Sequence, residues 1–222
     1  MNLRPATVSD RQAELIDVAR SLKGFMPDDE GLALLAAAEQ ACLSAHGKGC
    51  IVEIGAWCGK SATYLGAGAE AGGGVVFSLD HHHGSEENQA GWDHFDPELI
   101  DPSDGRLNTL PLWQRSIALA GLEQRVVGVV GDSSIVGAHW STPIDLLFID
   151  GGHGEEPAWA DWNAWSPLVP LGRWIAIHDV FEHPEDGGRP PYELFSHALA
   201  SGAFEEVGAQ GSLRVIRRLK AN

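Results

Sequence analysis

Five short apolar runs, separated by stretches with helical spacing, constrain the fold of this 222-residue chain most strongly. The runs, which are rich in β-branched residues, lie at 50–54, 75–79, 126–130, 144–149 and 174–177. The helical patterns between them lie at about 60–69, 106–120, 134–139 and 155–166. Short runs of this composition are typical of strands that are buried on both faces. The alternation therefore predicts an α/β fold, a parallel sheet with helices on both faces.

Both ends of the chain add elements to this plan. Apolar residues recur at helical spacing from Leu15 to Leu22. A second helix is predicted from Pro27, which three acids follow, to about Ala45, with a stop near Gly47. Near the other end, 204–207 and 213–217 flank a glycine-containing turn. This pattern predicts a closing antiparallel hairpin.

We expect one domain over residues 1–222, because the length is close to that of a single domain. N-terminal helices would occupy 1–47 and the sheet core 48–218.

Residues 81–105 are polar, aromatic and rich in turn formers, and a loop of this length is usually functional or disordered. We interpret it as a lid or insertion. A second candidate loop spans 181–191, and both leave predicted strand ends where ligands bind.

The formal net charge is −16, which excludes some classes of partner. Binding to nucleic acid or to an anionic membrane depends on clustered Lys and Arg, so neither is expected. A neutral or cationic small molecule fits better, although the charge could serve solubility alone.

No apolar run reaches about 18 residues and no signal-like N-terminus is present, so we expect a cytoplasmic protein. The oligomeric state is not fixed, and a homodimer is left open.

A glycine segment follows the first predicted strand. Glu53 lies near the end of that strand, Gly55 and Gly59 follow it, and Ser61 can open a helix. Glycines let the backbone approach a ligand closely, and a helix N-terminus offers unpaired N–H groups. The spacing differs from that of dinucleotide-binding sites. It fits a nucleoside without a pyrophosphate and with a cationic end, and S-adenosylmethionine has both properties.

Acids end all five predicted strands, and each has a candidate role. Asp80 follows Gly55 by 25 residues, near the spacing at which an acid binds ribose hydroxyls. His81 would lie beside it. Asp132 and Ser133 are expected at the adenine edge of the cofactor. A single acid at a strand end caps the next helix more often than it binds a ligand, but five in succession favour a binding site.

Asp150, His178 and Asp179 end two predicted strands and form a candidate metal site. Two carboxylates and an imidazole suit Mg²⁺ or Mn²⁺. The alternative is two helix caps and a buried neutral histidine. His153 follows two glycines, and an exposed imidazole could act as a general base beside Asp150, although isolated histidines are more often structural.

The 81–105 segment supplies candidate contacts to the substrate. Trp92 could stack on a sugar ring, and His83 and Glu86 are further candidates. The three consecutive histidines at 81–83 point in different directions if extended, so shared metal coordination is not expected. Cys58 is interpreted as loop packing in preference to a reactive thiol, since no base is adjacent, and three cysteines give no disulfide framework.

Three motifs resemble class I S-adenosylmethionine-dependent methyltransferases: Val52-Glu-Ile-Gly-x-x-x-Gly-x-Ser61, Phe148-Ile-Asp-Gly-Gly-His153 and Ile177-His-Asp179. Within that class they are similar to small metal-dependent O-methyltransferases grouped with macrocin O-methyltransferase and cephalosporin-hydroxylase-type proteins. The resemblance covers roughly 48–218. It implies a seven-stranded, Rossmann-like sheet with one antiparallel strand.

The resemblance also implies functional residues. Glu53, Gly55, Ser61, Asp80 and Asp132 would line the cofactor site. Asp150 and Asp179 would bind the cation and His153 would be the base. His178-Asp179 stands where catechol-type enzymes carry Asp-Asn, which leaves coordination by His178 open.

The expected activity is metal-dependent O-methylation of a small-molecule or oligosaccharide acceptor. The sharpest expectation is a mannoside, by 1-O-methylation in methylmannose polysaccharide synthesis. A phenolic or macrolide acceptor, a metal-dependent oxygenase or hydrolase, and a non-catalytic binding module on the same fold remain alternatives.

Overall fold

The computed structural model describes residues 3–5, 7–92, 94–152, 154–183 and 189–220. Within these residues, seven α-helices surround one seven-stranded sheet. The helices are α1 (Asp10–Ser21), α2 (Asp28–Ser44), α3 (Lys60–Gly72), α4 (Leu110–Ala120), α5 (Ser133–Ala138), α6 (Glu155–Trp165) and α7 (Pro190–Ala200). The strands are β1 (Cys50–Ile54), β2 (Val75–Asp80), β3 (Val126–Val130), β4 (Leu146–Ile149), β5 (Trp174–Ile177), β6 (Phe204–Gln210) and β7 (Leu213–Arg218).

The strand order is β3-β2-β1-β4-β5-β7-β6. The first five strands along this chain run parallel to one another, and β7 is antiparallel to both β5 and β6. The predicted fold class is therefore confirmed, including the single antiparallel strand. The order reverses between β1 and β4, and the carboxyl ends of these two strands form the crevice where open α/β sheets bind ligands.

The central strands bury both faces, as the apolar runs predicted. On β1, Ile51 packs into one apolar layer with α1 to α4, whereas Val52 and Ile54 pack into the other layer with α6 and α7. This alternation is the period of two expected of a strand. Glu53 lies on the same face as Ile51 and is fully buried, so the sheet carries one acid inside its helical layer.

Helix α7 was not predicted, because 181–191 was interpreted as loop. The helix begins at Pro190 and Pro191, because proline is compatible with the first turn of a helix, where its missing N–H has no partner to lose. Leu194 and Ala198, four residues apart, then bury one face of the helix. Helix α4 likewise begins at Leu110, later than the predicted 106.

The 81–105 segment contains two short 3₁₀ turns, at Glu86–Asn88 and Pro97–Leu99. Lys23, in the connection between α1 and α2, forms ion pairs with Asp96 and with Glu98. The ring of Phe25, in the same connection, lies 4.8 Å from the ring of His94. The segment is thus packed against the connection between α1 and α2. Its role as a lid stays a prediction.

Neither a membrane-spanning helix nor a disulfide is found in the part of the chain that the structure describes. Cys42, Cys50 and Cys58 are buried free thiols. Burial raises the pKa of Cys58 to about 12, and a protonated thiol is a poor nucleophile. This supports a packing role for Cys58.

Candidate active site

The ends of β1 and β4 meet at Gly55 and Asp150. Gly55 has a φ of +89°, and a Cβ at this position would lie 1.9 Å from the carbonyl oxygen of Asp150. The N–H of Asp150 donates to the carbonyl of Ile54 at 2.9 Å. Only glycine meets both the backbone conformation and the close approach. The start of the glycine segment (residues 55–59) therefore adjoins the first candidate metal ligand.

The Asp80 carboxylate holds the glycine segment. Its Oδ2 accepts the N–H groups of Ala56 at 3.0 Å and Trp57 at 2.8 Å, and its Oδ1 accepts the N–H of His82 at 2.7 Å. A carboxylate can accept about four hydrogen bonds, so these contacts leave capacity for a further donor. Asp80 therefore links the glycine segment to the start of the 81–105 segment, and its predicted contact with ribose stays a prediction.

Gly59 and Ser61 form the turn into α3. Gly59 precedes the helix with a φ of +91°, and a Cβ there would lie 3.2 Å from the Cβ of Ser116 and 3.3 Å from Cδ1 of Trp113. Gly59 thus allows α4 to pack closely against this turn. Ser61 is buried in the first turn of α3. Their roles in cofactor binding remain predictions.

Glu53 is completely buried beneath this turn. Its Oε2 accepts the Ser78 hydroxyl at 2.5 Å, and that hydroxyl also accepts the Trp113 indole N–H at 3.1 Å. Burial raises the pKa of Glu53 to about 8, against the influence of the Ser61 and Ser78 hydroxyls. Among the described residues, its Oε1 has no hydrogen-bond partner. A buried polar atom without a partner fits a polar group of a ligand, and the predicted contact of Glu53 with S-adenosylmethionine stays a prediction.

Asp132 and Ser133 both have partners within the protein. Asp132 caps α5 by accepting the N–H groups of Ser134 and Ile135, and hydrogen bonds to these two residues lower its pKa. The Ser133 hydroxyl donates to Asp161, an acid on α6 whose burial raises its pKa to about 6. The capping alternative thus describes the observed contacts of Asp132. Contacts of both residues with adenine stay predictions.

The candidate metal ligands come together at the ends of β4 and β5. Ile149 pairs with Ile177 in the sheet register, so Asp150 and His178 leave neighbouring strands side by side. One donor atom from each of Asp150, His178 and Asp179 lies within 4.8 Å of the others. Asp179 has a φ of +53°, which is uncommon outside glycine and frequent at functional sites. Two partly exposed carboxylates are a chemically suitable donor set for a hard divalent cation.

A fourth residue, Glu30, completes this cluster. The Nε2 of His178 lies 2.6 Å from Oε2 of Glu30, and the N–H of Ser212 donates to Oε1 at 2.6 Å. Burial alone would lower the pKa of His178, but the charge of Asp150 and hydrogen bonds to Asp150, Asp179 and Glu30 raise it well above its usual range. The predicted metal cluster therefore includes a histidine surrounded by acids.

Sequence reasoning assigned Glu30 only to the positive end of the α2 dipole and missed its contact with His178. A signal was present, because Glu30 shares the helical face of Ala33, Leu34 and Ala37, which are all buried. An acid on an apolar helical face requires a polar partner inside the protein. Asp161 and Ser212 were also missed.

The predicted substrate residues His83, Glu86 and Trp92 all belong to the 81–105 segment. His83 borders a cleft of about 660 Å³ in the 81–105 segment and hydrogen-bonds the carbonyl of Leu107 at 3.0 Å. Other residues around the cleft are Gln89, Phe95, Ile100 and Arg106. Glu86 and Trp92 are exposed on the same segment, Trp92 by 52%. His81, predicted at the cofactor site beside Asp80, is exposed, and its Nδ1 accepts the N–H of His83; its contact with the cofactor stays a prediction.

His153, the predicted general base, lies outside the described residues. Its neighbours Gly152 and Gly154 belong to the loop between β4 and α6. A Cβ on Gly152 would lie 3.2 Å from the Cβ of Ser85. The loop that carries His153 therefore starts in contact with the 81–105 segment.

A family model described as a methyltransferase domain matches residues 52–180, which include the glycine segment and the whole Asp150–His178–Asp179 cluster. The chain belongs to this methyltransferase domain family.

Solved structures share the fold of this methyltransferase domain. The SAH-bound Podospora anserina methyltransferase PaMTH1 aligns with 13% identity over 96% of this chain and 89% of its own, with a TM-score of 0.64. The O-methyltransferase NovP aligns with 16% identity over 84% and 79% of the two chains, with a TM-score of 0.62. The SAM-bound O-methyltransferase TomG from Streptomyces achromogenes gives 13% identity, 96% and 92% coverage, and a TM-score of 0.61. These similarities establish the class I methyltransferase architecture.

Proposed function

We propose that this domain transfers a methyl group from S-adenosylmethionine to a hydroxyl of a small molecule, with Mg²⁺ or Mn²⁺ as a second cofactor. The observation that carries this proposal is the contact between Gly55 and Asp150. It brings the glycine segment and the carboxylate cluster to one crevice at the strand-order reversal. Two structural neighbours are described as SAH-bound or SAM-bound, and two as O-methyltransferases.

The residues present suit S-adenosylmethionine, which supplies an electrophilic methyl group. The glycine segment offers backbone to an adenosine, and the Oε1 of Glu53 lacks a hydrogen-bond partner among the described residues. Asp80 fixes the segment through Ala56 and Trp57 before any ligand arrives. Such preorganisation lowers the cost of ordering the site on binding.

The carboxylates of Asp150 and Asp179 suit the divalent cation. A cation bound there would supply Lewis acidity that lowers the pKa of an acceptor hydroxyl. We assign proton removal to His153, a contribution of roughly 10²–10⁴-fold for a positioned base. The N–H of Asp150 donates to the carbonyl of Ile54, and this hydrogen bond joins the end of β4 to the end of β1.

For the acceptor we propose a sugar, most sharply a mannoside methylated at its 1-hydroxyl. The cleft of about 660 Å³ offers an aromatic ring at Phe95 and polar groups at His83, Gln89 and Arg106, which is the mixture that sugar binding requires. Its neighbour Ser85 contacts Gly152, two residues from Asp150. The net charge of −16 also favours a neutral acceptor.

Transfer of labelled methyl from S-adenosylmethionine to a panel of hydroxyl acceptors tests this proposal. The panel contains mannosides with a free 1-hydroxyl, 1-O-methyl mannosides, catechol and a macrolide. We expect labelling of the free mannosides, its loss with EDTA, and its recovery with Mg²⁺ or Mn²⁺. Labelling of catechol alone would retain O-methylation and reject the sugar. Labelling of no acceptor would contradict the proposed activity.

The role of His153 has its own test. His153→Ala is expected to lower turnover by roughly 10²–10⁴-fold, as for loss of a general base, while the affinity for S-adenosylhomocysteine stays within about threefold of wild type. A parallel loss of turnover and cofactor affinity would instead indicate a structural role for His153.

A further inference from the structure

The two edge strands of the sheet are built differently. β6, the outermost strand on one side, carries Glu205 and Glu206, and its pairing with β7 is shifted between Glu206 and Gly208. Charged side chains and such irregularities keep a sheet edge from pairing with another chain. β3, the outermost strand on the other side, reads Val-Val-Gly-Val-Val, with neither a charge nor a proline, and pairs with β2 in continuous register. The β3 edge therefore lacks the protection that β6 has.

The side chains around β3 leave apolar surface uncovered. Val127 is 41% exposed and Val130 is 58% exposed, and Ile135, in the first turn of α5, is 64% exposed. Gly128, in the middle of the strand, is also exposed. A Cβ on Gly128 would lie 2.7 Å from the Trp113 ring, so packing on one face of the strand requires glycine here. The edge is thus both apolar and accessible.

The direction of the β3 backbone groups follows from two hydrogen bonds to β2. The carbonyl of Arg125 accepts the N–H of Val76, and the N–H of Gly131 donates to the carbonyl of Asp80. Alternate residues of a strand direct both backbone groups to the same neighbour. The odd-numbered residues from 125 to 131 therefore face β2, and the even-numbered residues face away from the sheet.

Three residues of β3 thus direct backbone groups outward: Val126, Gly128 and Val130. The N–H of Val126 is already used, because it donates to the carbonyl of Leu122 at 2.8 Å. The edge therefore presents five groups to a partner, the carbonyl of Val126 and both backbone groups of Gly128 and Val130.

A second copy of β3 matches this edge. When the two strands run antiparallel with Gly128 opposite Gly128, Val126 lies opposite Val130 and Val127 lies opposite Val129. Each outward-facing residue then has an outward-facing residue as its hydrogen-bonded counterpart. Four hydrogen bonds follow, two between the glycines and one from each Val130 N–H to the Val126 carbonyl of the other copy. A two-fold interface requires this kind of self-match.

The charges at the ends of the strand fit the same arrangement. Arg125 directly precedes β3, and Asp132 follows it by two residues. About the same two-fold axis, Arg125 of one copy lies opposite Gly131 of the other and next to its Asp132. Arg125 uses one N–H group on the carbonyl of Gly74, at 3.4 Å, and a guanidinium has five. Opposite charges therefore meet at both ends of the paired strands, which favours this register.

We propose that two copies of this chain form a dimer by antiparallel pairing of their β3 strands, centred on Gly128, so that the two sheets become one continuous sheet. The unprotected edge, the outward backbone groups and the end charges all fit a second copy. Four hydrogen bonds and short apolar patches make a small interface, so we expect a dissociation constant of roughly 1–100 µM. The dimer does not depend on methyl transfer, and it stands or falls separately from the proposed function.

Sedimentation velocity, at concentrations on either side of this dissociation constant, tests the association. The wild type should shift from monomer to dimer. Val130→Lys places a charge opposite Val126 of the second copy and should weaken the dimer by roughly 10-fold or more. Leu171→Lys makes the same change at a side chain that is 57% exposed before β5, and should alter the dissociation constant by less than about twofold. A wild type that stays monomeric, or a dimer that Val130→Lys leaves intact, would overturn the proposal.

Hydrogen exchange read by NMR tests the strand pairing itself. The amides of Gly128 and Val130 face outward, so their exchange should slow by roughly threefold or more when the dimer forms. The amides of Val127 and Val129 face β2 in both states and should exchange at rates that do not depend on concentration. A dimer that forms without protecting Gly128 and Val130 uses another surface, and this would overturn the proposal. If Val130→Lys does not fold, these wild-type amides decide alone.

A change of charge at Arg125 tests the register. Arg125→Glu brings two acids together at each end of the paired strands and should weaken the dimer by roughly threefold or more. Lys48→Glu makes the same change of net charge at an exposed position before β1, and it measures the added general repulsion. Equal effects of the two substitutions would reject the Gly128-centred register and, with it, the proposed pairing.

Discussion

At the scale of single residues, the burial of Glu53 makes the stability of the fold depend on pH. Its pKa is raised from 4.5 to about 8 in the folded protein. Between these values the folded state keeps a proton that the unfolded state has released, so unfolding releases a proton. The free energy of unfolding should therefore fall as pH rises from about 4.5 to about 8, through a contribution on the order of a few kcal/mol.

Glu53→Gln should remove this contribution. A glutamine stays neutral, so the variant should gain stability relative to wild type as pH rises toward 8, measured by urea unfolding at several pH values. Glu123→Gln, at an exposed position, is the matched control and should follow the wild-type curve. If Glu53→Gln shows the same pH slope as wild type, Glu53 does not carry the buried proton.

Gly55 makes a second prediction at this scale. Gly55→Ala puts a Cβ into the Asp150 carbonyl at 1.9 Å as well as forcing a φ of +89°, and should cost about 3 kcal/mol or more. Gly105→Ala is the control, because Gly105 has a φ of +74° with nothing within 4 Å of its Cβ position. Its cost should be about 1–2 kcal/mol. Chemical denaturation measures the free energy of unfolding of both variants. If Gly55→Ala and Gly105→Ala lose equal amounts, the contact between β1 and β4 is looser than described.

At the scale of elements, Asp80 joins β2 to the glycine segment. Asp80→Asn leaves only one oxygen to accept from Ala56, Trp57 and His82, so the amides at 56 and 57 should exchange with solvent roughly tenfold faster. Hydrogen exchange read by NMR measures this. Asp104→Asn, which alters only an exposed turn at Arg106, should leave both amides unchanged. Unchanged exchange in Asp80→Asn would contradict the role of Asp80.

Local sequence patterns predicted the elements in which buried residues recur at a regular helical or strand spacing. The β1 and β3 bounds match the predicted runs, because buried strands show as continuous apolar residues. Helix α7 was missed, because Pro190 and Pro191 are helix-compatible only in the first turn. The proximity of Asp150, His178 and Asp179 was predicted because parallel strands end at one edge, a rule that needs no side-chain geometry.

The remaining contacts could not be predicted because they are long-range. No spacing in the sequence relates Glu30 to His178, which are 148 residues apart. Sequence spacing also does not relate Ser133 to Asp161, which lie on different helices. The partner of a buried polar group depends on how elements pack, and packing is not encoded in local periodicity.

At the scale of the whole molecule, both ends of the chain contribute to the candidate site. The family match covers 52–180, but the contacts that hold His178 come from Glu30 before it and, through Glu30, from Ser212 after it. The 81–105 segment is likewise joined by Lys23 to the connection between α1 and α2. The site is therefore a product of the complete fold and extends beyond the matched segment.

Calorimetric titration with S-adenosylhomocysteine tests the central claim most directly, that the crevice beside Gly55 holds an adenosine-containing cofactor. The wild type and Gly105→Ala should show saturable binding to one site per chain, and Gly55→Ala should show none. A folded wild-type protein that takes up no S-adenosylhomocysteine would contradict the account.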